Sequence, residues 1–145
     1  MDSTPAAHAV RLAEEFLTRV WGPSHDLSAI DELMTEDYTI DSAGHVVRGR
    51  DAFKRWVAEF HCRLEGARNE VLETFATADG ERVVSRWLCT GLNNGVFGLP
   101  ADRRPVAFTG IAIWTVRDGR LSECIVERSA FEAFQALTAK SSAGG

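Results

Sequence analysis

The residues equipped for chemistry are few and scattered: Asp41, Arg86, Glu127 and four histidines, with no spacing that signals a catalytic pair or a metal site. Arg86 shares a strand face with Val84, Leu88 and Thr90. In such an apolar setting a guanidinium needs an anion, either a substrate carboxylate or enolate held by two parallel hydrogen bonds or a structural partner such as Asp41. Asp41 stands before Ser42-Ala43-Gly44; desolvated it would serve as a general acid or base, and otherwise it caps the turn. His45, just past the same turn, suits a proton relay or an exposed hairpin position. His61 follows Phe60 at the edge of a helical apolar stripe, as a site residue or a satisfied boundary histidine, and His8 and His25 read as surface residues. Cys62, Cys89 and Cys124 lie inside apolar segments and read as buried thiols. Neither a metal nor a cofactor is expected.

Three consecutive strands must position these groups: Glu81 to Leu92, Pro105 to Arg117 and Arg120 to Ser129, the last two joined by Asp118-Gly119. That dipeptide is a strong signal for a two-residue hairpin turn. Counting back from it pairs Arg117 with Arg120, Val116 with Leu121 and Trp114 with Glu123. One face then carries Ile111, Ile113, Cys124, Val126 and Arg128, and is read as the inner face. Arg128, at the strand's end, is expected to pair with a helix acid. The other face carries Phe108, Ala112, Trp114, Glu123, Ile125 and Glu127 and is read as the outer surface, apolar enough for a homodimer contact. Only a bulge would exchange these roles beyond it and turn Glu127 inward.

Ahead of the strands, apolar residues from Pro5 to Trp21 form one helical stripe, capped by Ser3 or Thr4 and stopped by Gly22-Pro23. Asp26 caps a short second helix that buries Leu27, Ile30, Leu33 and Met34. Tyr38 to Asp41 and His45 to Arg48 read as short strands, Arg50 to Leu64 as a third helix burying Phe53, Trp56, Val57 and Phe60, and Asn69 to Thr77 as a further strand. Phe131, Phe134 and Leu137 predict a closing helix. Trp56, Phe60, Trp87, Phe97, Phe108 and Trp114 supply aromatic surface for either a core or the wall of a flat ligand site. The glycine-rich loop from Asn93 to Pro100 is long for a hairpin and could act as a lid. The pattern makes an α+β domain whose sheet curls around its helices.

With 145 residues, the chain reads as a single domain over 1–145, with its core at about 5–139 and a disordered tail at 140–145. A net charge of −5 with scattered Lys and Arg argues against a nucleic acid partner. No apolar run approaches the roughly 20 residues of a membrane span, and the first ten residues lack a signal-peptide pattern, so a cytoplasmic protein is expected.

Tyr38-x-x-Asp41, Gly49-Arg50-Asp51-Ala52-Phe53, the loop Gly91 to Pro100, Val106-x-Phe108-x-Gly110 and Asp118-Gly119-Arg120-Leu121-x-Glu123 together resemble the SnoaL-like polyketide cyclase family, from about Ala9 to Leu137. The resemblance implies a cone-shaped α+β barrel: N-terminal helices packed on a strongly curved, mixed but mainly antiparallel sheet that encloses a pocket, commonly as a homodimer. Taken with the strand and helix faces read above, it puts Tyr38, Trp56, Phe60, His61, Leu88, Arg86, Ile111, Ile113, Val126 and Ser129 at that pocket, with Asp41 at its mouth. The aspartate that such cyclases carry on the final strand falls near Val126 and Ser129, neither of which ionises as an acid. Related limonene epoxide hydrolases resemble this chain only at Arg86, since Leu88 and Val126 stand where their two acids would be. The implied function is cofactor-free cyclisation or isomerisation of a hydrophobic, polyketide-like small molecule. Asp41, His45 or Glu127 would replace the aspartate, or a shaped cavity with Arg86 would template the closure. A binding or accessory protein for a hydrophobic metabolite, and a hydrolase using other acids, are the alternatives.

Overall fold

The computed structural model describes residues 4–139, so the expected tail at 140–145 and Ser3 as a cap lie outside the described residues. Helix α1 (Pro5–Arg19) starts where the Thr4 hydroxyl accepts the Ala7 N–H at 3.1 Å, and buries Leu12, Ala13, Phe16 and Leu17. A short α2 (Ala29–Leu33) leads into β1 (Met34–Ser42) and β2 (His45–Arg48). Then come α3 (Arg50–Arg63), β3 (Leu64–Ala76), β4 (Arg82–Asn93), β5 (Pro105–Arg117), β6 (Arg120–Arg128) and α4 (Ala130–Thr138).

The six strands form one sheet ordered β2-β1-β6-β5-β4-β3, antiparallel except where β1 runs beside β6. Because β2 and β3 remain as edges, the sheet curls over α1 and α3 without closing into the expected barrel. Irregular register in the β1–β6, β3–β4 and β5–β6 pairs supplies the bends.

The β5–β6 bulge decides the site. Asp118 (φ 52°) and Gly119 (φ 74°) make the expected turn, and Arg117 and Val116 pair with Arg120 and Leu121 as counted. Thr115 then pairs with Glu123, leaving Ser122 as an extra residue whose hydroxyl donates to the Thr115 carbonyl at 3.1 Å. Trp114 therefore pairs with Cys124 rather than Glu123, which inverts β5 relative to the two-residue count. Phe108, Ala112 and Trp114 point inward, while Ile111 and Ile113 face outward with Ile111 47% exposed. The β6 parity stands as expected, with Cys124 and Val126 buried and Ile125 and Glu127 outside. On β4 the buried face is Val83, Ser85, Trp87 and Cys89, not the face of Arg86 and Leu88. Trp87 fits because β5 offers a glycine opposite: a Cβ on Gly110 would stand 2.3 Å from the indole ring.

Candidate functional site

An aromatic cavity opens between α1, α3 and the inner face of the sheet, with an empty volume of about 470 Å³ that includes its opening. Trp21 meets Trp56 and Phe60 edge-on at 6.2 and 5.5 Å, and Phe108 meets Phe60 and Trp87 the same way at 6.2 and 6.1 Å. All four tryptophans of the chain, Trp21, Trp56, Trp87 and Trp114, line it. A wider vestibule adjoins the cavity, sharing Trp56, Phe60 and Arg128 with it and adding His45, Glu59, Arg63 and Phe97.

Arg128 stands at this neck. Its guanidinium carbon lies 6.0 and 5.7 Å from the ring centres of Phe60 and Phe108, within reach of cation–π attraction. The expected helix acid is not its partner: Glu59 binds Arg63 at 2.6 Å, and among the described residues no carboxylate or carbonyl accepts from Arg128. Burial holds its pKa below the ordinary value, yet a guanidinium stays protonated at neutral pH. Among the described residues no Asp or Glu side chain lines the cavity itself.

The remaining polar groups of the lining hold their protons. Burial, with a smaller contribution from Cys124, pushes the Tyr38 phenol well above its usual range. Burial likewise raises the Cys89 and Cys124 thiols to about 12. Asn69 also lines this space, and its side-chain oxygen is buried without a hydrogen bond. Among the described residues no three His, Cys, Asp or Glu side chains gather as a metal site would require.

Of the residues read from the sequence, Tyr38, Trp56, Phe60 and Val126 line the cavity, and His45 borders the vestibule from an exposed position. The others lie elsewhere. Arg86 is exposed on the outer face between Glu73 and Ile111, with Leu88, Ile113 and Glu127 on the same side. Asp41 also faces outward, beside Ile125, and accepts the Gly44 N–H at 2.8 Å as a turn cap. The Ser129 hydroxyl is spent on the Thr109 backbone, whose N–H it accepts at 2.9 Å. His61 stacks on His25 with ring centres 3.7 Å apart, behind Trp21, so His25 is half-buried rather than a surface residue. Cys62 is exposed, against the expectation of a buried thiol. The loop after β4 is pinned: the buried Asn93 side-chain oxygen accepts from Gly95 and Val96, each at 2.9 Å, and its amide donates to Pro100 and Asp102. Phe97 on that loop packs against Phe108 at 6.0 Å.

The profile of the SnoaL-like domain matches residues 13–124. The chain belongs to the SnoaL-like domain family. A candidate SnoaL-like polyketide cyclase from Jannaschia sp. CCS1 superposes with a TM-score of 0.85 at 19% identity, covering 97% of this chain and 98% of that one. IdmH, a candidate polyketide cyclase from Streptomyces antibioticus, gives 0.76 at 20% identity, covering 90% and 99%. An LEH-like epoxide hydrolase from M. tuberculosis gives 0.73 at 18% identity, covering 94% and 89%. At these identities the likeness establishes the shared fold, which hosts several chemistries. No curated protein matches the chain significantly. No helix among the described residues is long and apolar enough to cross a membrane.

Proposed function

We propose that this SnoaL-like protein cyclises or isomerises a polyketide-like small molecule, holding it against the aromatic wall with an anionic oxygen seated on Arg128. The observation that carries this reading is a half-buried guanidinium without a protein anion, at the neck of a cavity lined by aromatic rings. An unpaired buried cation is costly, and a substrate carboxylate or enolate would supply the missing charge through two hydrogen bonds. The lining offers charge stabilisation but no carboxylate base, which favours closure of a pre-folded, already enolised chain over proton abstraction by an aspartate. Holding such a chain in a reactive conformer is itself a large catalytic contribution. Two copies are proposed to meet through the outer face, where Phe75, Val84, Ile113 and Ile125 form one row across four strands.

Because every tryptophan lines the cavity, intrinsic fluorescence reports its occupancy. A poly-β-carbonyl acid should quench it in the native protein, more weakly in Arg128→Met, with recovery in Arg128→Lys, and cyclised product should follow by mass-neutral chromatographic shift. Quenching that is indifferent to Arg128 would overturn the anchor. Affinity without product would leave the second reading, a metabolite-binding protein, which the lack of a carboxylate in the lining also supports.

A further inference from the structure

Two buried hydrogen-bond donors of the cavity lining meet no acceptor at full hydrogen-bond geometry among the described residues. Tyr38 and Trp114 are 0% and 1% exposed, both line the cavity, and neither the phenol oxygen nor the indole N–H makes a hydrogen bond. The register brings them together. Trp114 on β5 pairs with Cys124 on β6, which pairs in turn with Ile40 on β1, one inward position along from Tyr38. The phenol oxygen faces the indole N–H and the Cys124 thiol, near enough for both to shift its ionisation through weak hydrogen-bonding contact, yet neither contact reaches full hydrogen-bond geometry. Packing fixes both rings: Phe16 abuts the indole edge-on at 5.8 Å, and Phe53 abuts the phenol at 5.0 Å.

An indole N–H can only donate, and a neutral phenol donates its O–H when an acceptor is offered. Buried donors of this kind are seldom left without a partner, so the pair calls for one explanation. We propose that this part of the cavity is a carbonyl subsite, in which Tyr38 and Trp114 donate together to one oxygen of the substrate, a ketone or the enolate derived from it. The proposal rests on the reading above that this cavity takes the substrate. Arg128 lies four residues along β6 from Cys124, roughly 13 Å at strand rise. The ligand class is therefore a flat, extended keto acid that enters carbonyl first and leaves its anionic oxygen at the neck. Two donors aimed at one oxygen would also stabilise negative charge developing there during ring closure.

A matched pair of probes tests this by calorimetry: 6-acetyl-2-naphthoate, with a ketone remote from its carboxylate, and 6-ethyl-2-naphthoate, which lacks the oxygen. The native protein should favour the acetyl probe by about tenfold, since a ligand without the oxygen leaves buried donors unpaired. Tyr38→Phe should bring the two affinities within about threefold while leaving the ethyl probe unchanged. Arg128→Met should weaken both probes alike. In the native complex the infrared carbonyl stretch of the acetyl probe should move to lower frequency, an observation that does not depend on any variant folding. Equal affinities in the native protein, or an unshifted carbonyl, would overturn the subsite while Arg128-dependent binding left the cavity reading intact. Failure of both probes to bind would overturn the cavity reading and the subsite together.

Discussion

His61 should make this protein lose stability on mild acidification. Its ring stacks on His25 with centres 3.7 Å apart and an interplanar angle of 13°, and its Nε2 is buried without a hydrogen bond. Burial, with His25 adding to it, lowers its pKa from 6.5 to about 4. Between those values the unfolded chain takes a proton that the folded chain resists, so the unfolded state gains as the pH falls. The stabilisation is complete above the unfolded value and disappears as the pH drops toward the folded one. Linkage gives about 2 kcal/mol lost between about pH 7.5 and pH 5, trimmed to about 1 to 2 kcal/mol because the ring is only half-buried. The hydrogen-bonded aspartates Asp26, Asp31, Asp37, Asp79 and Asp102 have pKa values below 3.8, so their stabilisation is lost at more acid pH. Urea denaturation of the native protein and His61→Phe across this window isolates the effect, since phenylalanine keeps the stack and cannot titrate. The native curve should fall more steeply than that of the variant by about 1 to 2 kcal/mol. Parallel curves would refute the reasoning.

Three further outcomes follow from the same geometry. Arg128→Met should leave thermal stability unchanged or raise it by up to about 2 kcal/mol, because it removes an unpaired cation from an apolar wall; a loss of about 3 kcal/mol or more would reveal a structural ion pair. Gly110→Ala should destabilise by about 1 to 3 kcal/mol in denaturant titration, by driving a methyl group into Trp87, and should shift tryptophan fluorescence without ligand. Ile125→Glu, at a position 50% exposed in the outer apolar row, should give monomers in sedimentation where the native chain gives dimers; a monomeric native chain would remove the proposed interface.

Elements whose sequence pattern has a single physical solution were legible. The apolar stripe and Thr4 cap of α1, the third helix, and the Asp118-Gly119 turn all occur where periodicity and turn chemistry place them. The faces were harder to read. On β4, Val84 and Leu88 are as apolar as Val83 and Cys89, so alternation alone does not choose the buried set, and the face that carries Arg86 reads as inner although it lies outside. On β5 a single extra residue at Ser122 changed which side chains face the helices, and nothing in the composition of that stretch announces a bulge. The available clue was Trp87 opposite Gly110, since a large ring needs a facing position without a Cβ. Arg128 was placed on the correct face from the hairpin count, but its lack of a partner depends on where Glu59 goes, a tertiary fact.

The lining of the cavity also constrains how any turnover would depend on pH. Tyr38, Cys89 and Cys124 are all pushed upward by burial, the two thiols to about 12, and Arg128 stays cationic. No group inside the cavity changes charge between about pH 6 and pH 9, and none is a base in that range. A reaction that depends on these walls alone should show a flat kcat across the interval, after allowance for titration of the substrate itself. A limb near neutrality would point to a proton carried by a group outside the lining. Templated closure would then give way to acid–base catalysis from beyond the aromatic wall.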